Sequence, residues 1–134
     1  LLLTPLPAGP AATVAATERW QTWTPTRVAE LNAQGRSVMV DFTAAWCVTC
    51  QYNKKTALAN SAVLADVDAK KVALLRADWT RRDPVITQAL ARLGRNGVPV
   101  YALFRPGREP LLLPEILTRS SLREALSTLQ DPRS

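Results

Sequence analysis

Both cysteines of this 134-residue chain lie in one short run, Trp46-Cys47-Val48-Thr49-Cys50. Two thiols at this spacing can close and reopen a disulfide, a reversible two-electron step that a single thiol cannot perform. On a helix beginning near Cys47 the two sulfurs share one face and their Cα atoms fall within disulfide range. The first turn of a helix offers unpaired backbone N–H groups and the positive end of its dipole, which favour thiolate over thiol. Cys47 is therefore the candidate nucleophile, exposed and attacking. Cys50, a turn deeper, is the resolving thiol that attacks the mixed disulfide and releases the partner. Trp46 is expected to cover one side of the pair.

The same two residues admit other uses. A structural staple is one, although closing so short a loop removes little chain entropy. Half of a zinc site is weaker still, because structural zinc needs four Cys or His ligands and the chain has two cysteines and no histidine. An interchain bond, or capture of Cu(I) by two thiolates, stays open on the residues alone, with the single methionine and missing histidines arguing against a dedicated copper site. Absence of histidine also removes Cys–His proteolysis, Ser–His–Asp hydrolysis and His-ligated metal catalysis from this chain. No metal is expected.

The elements that must position the cysteines are legible around them. The apolar run Val38-Met39-Val40-Asp41-Phe42 predicts a buried strand over 37–43, ending just before the pair, and the helix after it should run from about 47 to 58. Upstream, Trp20 and Trp23 suggest a short first strand, and Thr24-Pro25 caps a helix carrying Val28 and Leu31 and ending at Gly35. Asn60 or Ser61 caps a further short helix through Val63, Leu64 and Val67. A second central strand is expected over 72–79, followed by the Asp83-Pro84 cap of a helix through Ile86, Leu90 and Leu93 that Gly94 ends. A strand at 100–104, a turn at 105–108 and an antiparallel partner at 110–113 lead to a closing helix capped by Thr118 or Ser120, with Leu122, Leu126 and Leu129 on one face. This order implies an α/β fold: a mixed sheet of four to five strands covered by helices on both faces.

The length suits one domain that can bury a core without disulfides, which leaves the cysteines free for chemistry. Residues 1–17 hold Pro5, Pro7 and Pro10 among alanines with no charge before Thr17, so they read as a linker, and the domain is assigned to 18–134. Leu1-Leu2-Leu3 lacks a preceding basic region and is not an intact signal peptide; it is expected to be the end of a preceding transmembrane helix or a trimmed leader. Seventeen basic against eleven acidic residues give a net charge of +6. An ordinary solvated basic face accounts for this, with steering of an acidic protein partner or nearness to anionic lipid as alternatives. No interleaving of basic and aromatic residues suits nucleic acid.

With the run 38–50, the Gly97-Val98-Pro99 turn and the strand–turn–strand after it, the chain resembles the thioredoxin-fold C-terminal periplasmic domains of the DsbD family and their copper-sensitivity-suppressor relatives. The resemblance covers about residues 20–129. It implies a thioredoxin-like fold in which Pro99 is cis and lies against the cysteines, leaving the backbone of Val98 to pair with an extended partner peptide; from the residues alone, a trans turn proline opening a strand is the default. It also implies that Asp41, costly to bury as a carboxylate, exchanges protons with Cys50. A strand-end aspartate bonded to backbone groups is the plainer alternative. Where such domains carry a second acid one turn past the resolving cysteine this chain has Lys54, and Ala45 replaces an acid before the tryptophan, so Cys47 is expected to ionise more readily than in those relatives. Arg76 falls on a buried strand: a snorkelling arginine is the favoured reading and an ion pair with Asp41 the other.

The resemblance implies a protein-disulfide reductase domain passing electrons from a membrane-embedded redox module to periplasmic disulfide partners. It needs no cofactor beyond the redox-active Cys47–Cys50 disulfide, and it is expected to be a monomer on the periplasmic side of a bacterial inner membrane, tethered to other domains of one membrane protein. An oxidase or isomerase of secreted proteins, or a non-catalytic module binding Cu(I) or a partner, are the alternatives.

Overall fold

The computed structural model describes residues 19–131; the linker assigned to 1–17 and the domain start at Glu18 lie outside them. The chain runs β1 (Trp20–Thr22), α1 (Pro25–Ala33), β2 (Val38–Thr43), α2 (Val48–Lys55), a 3-10 turn (Ala57–Ala59), α3 (Ser61–Ala69), β3 (Ala73–Asp78), α4 (Pro84–Arg92), β4 (Val100–Phe104), β5 (Leu111–Leu112) and α5 (Arg119–Ser127). The five strands form one sheet in the order β1-β3-β2-β4-β5. β3 pairs in parallel with β1 and β2, whereas β4 is antiparallel to β2 and β5. The mixed sheet is as expected from the order of sequence elements.

Strand alternation divides two cores between the faces of the sheet. Val38, Val40 and Phe42 of β2 pack with Leu31 of α1 and with Ile86 and Leu90 of α4. Met39, from the opposite face, packs with Val63 and Val67 of α3, Tyr101 of β4, and Leu122 and Leu126 of α5. Every residue of β2 is buried, which is why its side chains are apolar except near its C-terminal end. Asp41 belongs to the Met39 face, and α2 crosses that face.

Short side chains start the helices. Thr24 Oγ1 accepts from the N–H of Arg27 at 3.0 Å ahead of Pro25, Asp83 Oδ1 accepts from Val85 and Ile86 ahead of Pro84, and Asn60 Oδ1 accepts from Ala62 and Val63. Thr118 and Ser121 cap α5 reciprocally. The helix expected over 47–58 is shorter than predicted. It stops at Lys55 because Thr56 leaves the helical region (φ −109°, ψ −97°), with its hydroxyl donating to Tyr52 O at 2.8 Å, and a 3-10 turn follows. The second central strand likewise spans Ala73–Asp78 rather than 72–79. No helix among the described residues is long and apolar enough to cross a membrane.

Candidate active site

Cys47 and Cys50 are joined in a disulfide with Cα atoms 5.2 Å apart. Cys47 is the N-cap of α2, and its Sγ accepts from the backbone N–H of Cys50 at 3.1 Å. A sulfur at this position meets the unpaired N–H groups and the dipole of the helix, which stabilise negative charge. The expectation that Cys47 stands exposed needs correction: it is only 7% exposed, against 0% for Cys50. Ala44 and Val98 pack around both sulfurs and account for the cover. Cys47 is still the more accessible of the two.

The peptide bond between Val98 and Pro99 is cis. Pro99 is buried, and half-buried Val98 lies against the disulfide. Trp46, expected to cover the pair, is gripped by the loop after β3. Its Nε1 donates to Thr80 O at 3.0 Å, its ring centroid is 6.0 Å from that of Trp79, and the Arg82 guanidinium lies 4.9 Å from both rings. Thr80 Oγ1 also accepts from the N–H of Ala45 at 2.8 Å while donating to Asp78 Oδ1. The Thr80 hydroxyl, together with the Thr80 backbone N–H that also donates to Asp78 Oδ1, holds the Asp78 carboxyl below the usual carboxylate range. One threonine thus fixes both the backbone and the indole just before the nucleophile. Nothing in the sequence singles out Thr80, because only the fold carries its loop to the start of α2.

Beneath α2, three side chains stand in one row across the sheet. Arg76 of β3, Asp41 of β2 and Tyr101 of β4 are register partners. Arg76 Nε donates to Asp41 Oδ2 at 3.0 Å, with side chains 23% and 0% exposed. The ion pair, and not the snorkelling arginine favoured from sequence, is what the structure contains, although the guanidinium keeps partial access to water. Burial pushes the Asp41 carboxyl up, opposed by its bond to Arg76 and by the charges of Arg76 and Lys54. Burial likewise pushes the Tyr101 hydroxyl up.

Lys54 enters the row from above. Its ammonium donates to Thr43 Oγ1 at 2.7 Å. Burial lowers its proton affinity, while the charges of Asp41 and Asp78 raise it. The Lys54 cation, noted in the sequence one turn past Cys50, therefore faces Asp41. Asn53, buried on the same helix, donates from Nδ2 to Tyr101 OH and to Glu115 O, both at 2.8 Å, and accepts at Oδ1 from the N–H of Leu117 at 3.1 Å. It passed unnoticed in the sequence, although its place three residues after Cys50 marks it as facing inward.

The family model described as thioredoxin-like matches residues 19–106. The chain belongs to the thioredoxin-like family. This thioredoxin-like domain is 35% identical over 85 residues to the thiol:disulfide interchange protein DsbD of Vibrio cholerae, a match to 63% of the chain and 14% of the relative. It is 32% identical over 80 residues to thiol:disulfide interchange protein DsbD 1 of Pseudomonas aeruginosa, covering 60% and 13%. The matches thus span about one seventh of these curated relatives. Among solved structures, the oxidised DsbD C-terminal domain of Neisseria meningitidis superposes with a TM-score of 0.65 at 22% identity, covering 83% of this chain and 99% of that one. A thioredoxin from Thermus thermophilus gives 0.65 at 21%, covering 82% and 85%. These likenesses establish the fold, including the mixed sheet with helices on both sides.

Proposed function

We propose that this thioredoxin-like domain is a thiol–disulfide oxidoreductase that passes reducing equivalents from a membrane-embedded redox module to periplasmic disulfide partners. The observation that carries the reading is the disulfide at the start of α2, whose outer sulfur caps the helix. The two curated DsbD relatives support the choice of chemistry.

In the reduced protein, the Cys47 thiolate attacks the partner's disulfide. A Cys47–partner bond forms and the partner's other sulfur leaves as thiolate. Cys50 gives its proton to Asp41, and the resulting thiolate attacks Cys47 Sγ. The internal disulfide closes, the partner's second sulfur leaves as thiolate, and two electrons have passed to the partner. Asp41 then returns its proton to water. The dithiol carries both electrons, so no separate cofactor takes part. Val98 offers backbone hydrogen bonds to an extended partner segment beside Pro99, and the exposed side chains of Trp46 and Val48 supply a small apolar rim suited to transient contact. The domain acts as a monomer at the periplasmic face of a bacterial inner membrane, tethered to the module that reduces it.

The test is trapping with Cys50→Ser. A mixed disulfide through Cys47 with a periplasmic thiol–disulfide protein is expected; failure of Cys47 to trap any partner removes the nucleophile assignment. A reduction potential near that of thioredoxins supports electron delivery, whereas a strongly oxidising value assigns the domain to disulfide formation.

A further inference from the structure

Asp41 is held asymmetrically. Its Oδ2 receives Arg76 Nε at 3.0 Å, while its Oδ1 is buried with no hydrogen-bond partner among the described residues. Arg76 is itself clamped. Its guanidinium carbon lies 4.2 Å from the ring centroid of Trp20, and its carbonyl oxygen accepts from the N–H of Trp23 at 2.8 Å. Trp20 is on β1, the edge strand, two residues before Thr22, the register partner of Arg76. It therefore lies diagonally across the parallel pair, within reach of a long side chain. A chain of contacts runs Trp20–Arg76–Asp41 from the sheet edge to its centre.

We propose that Arg76, clamped by Trp20, is a positioning residue that commits one oxygen of Asp41 and leaves Oδ1 as the oxygen that takes the Cys50 proton. The proposal rests on the dithiol-exchange reading, with Asp41 as proton acceptor. The physical reason is that a buried carboxyl with two equivalent oxygens turns freely between orientations, whereas a charge-assisted bond to one oxygen fixes its plane and aims the other. The same bond favours the ionised acceptor against burial. The ring of Trp20 keeps the guanidinium in place by cation–π attraction, so that its partial exposure does not release it to water. The other charged and titratable groups toward Asp41 are Lys54 of α2, Tyr101 of β4 and, acting through Lys54, Asp78 of β3; delivery of the Cys50 proton to Asp41 is taken from the dithiol-exchange reading.

Two readouts separate this role from bulk stability. The first is the titration of the Asp41 carboxyl carbon by NMR in the oxidised protein, which needs no turnover. The second is the pH dependence of Cys50 attack on a preformed Cys47 mixed disulfide with a small thiol. Arg76→Gln is expected to move both midpoints to higher pH. Arg76→Lys, which keeps a charge without the Nε geometry, should move them less, and Trp20→Leu should move them in the same direction as Arg76→Gln. In an Asp41→Asn background Arg76→Gln should have no further effect on the rate profile. Midpoints unmoved in both Arg76→Lys and Trp20→Leu overturn the proposal while leaving the dithiol reading intact. A rate profile unchanged by Asp41→Asn alone removes Asp41, and with it the basis of the proposal, from the mechanism.

Discussion

Cys47 Sγ and the backbone N–H of Cys50 are hydrogen-bonded at 3.1 Å, so the sulfur nearest the surface also caps the helix that carries its partner. When the disulfide opens, the Cys47 thiolate is a stronger acceptor for that N–H than the bridged sulfur. Cys47 in Cys50→Ser should therefore titrate clearly below the ordinary thiol value of about 8.5, read as thiolate ultraviolet absorbance against pH. An ordinary value would mean that the cap contributes nothing to reactivity.

Asp41 binds its proton more tightly in the folded protein than in the unfolded chain, because burial opposes its charge. The sign follows from linkage. The stability it contributes is complete below the ordinary carboxylate value and is lost as pH rises through the elevated folded value. Asp41→Asn should thus gain stability relative to the parent as pH increases across that window, measured by urea unfolding of the oxidised forms at several pH values. A gap between the two that stays constant with pH would contradict the direction of the shift.

Lys54→Glu replaces a cation facing Asp41 by an anion. The Asp41 carboxyl should titrate at still higher pH, and the Cys47 thiol should also move up, by less, since the ammonium is anchored at Thr43 and faces Asp41. Paired carboxyl and thiol titrations read both. An unmoved thiol would cancel the expectation, drawn from sequence, that Lys54 tunes Cys47; an unmoved carboxyl would cancel its role at Asp41.

Asn53→Ala strips three hydrogen bonds from a fully buried site and leaves the Leu117 N–H and Glu115 carbonyl without their partner. The cost expected from unsatisfied buried groups plus the void is about 3 kcal/mol, measured as a fall in the urea midpoint at unchanged slope. A loss under about 1 kcal/mol would show that the segment before α5 is not held by this side chain.

The strands and caps were legible because each rests on local chemistry: the apolar run at β2, proline after Thr24 and Asp83, and Asn60 before α3. Where two elements compete, local signals gave way. Thr56 interrupts a helical pattern that continues through Leu58, since α3 is capped at Asn60 and packs its own face. Within the site, Cys47 and Cys50 stood out by type and spacing, and Asp41 as an acid inside an apolar run whose role is what the resemblance implies. Arg76 did not, because the preference for a snorkelling arginine is a statement about isolated side chains, and its partner is thirty-five positions away in sequence. Thr80 and Trp79 could not have been found at all, since their contact with Trp46 exists only after β3 lies beside β2.

The grip of Thr80 on Ala45 and Trp46 divides the work of the site between two stretches of chain. The platform beneath the cysteines is anchored from outside, and Val48, at 82% exposed, plays no part in anchoring it. Position 48 is thus released from architectural duty, whereas Thr49 is half-buried. A change of side chain at position 48 therefore alters the surface beside the cysteines while leaving the contacts that hold the start of α2 in place.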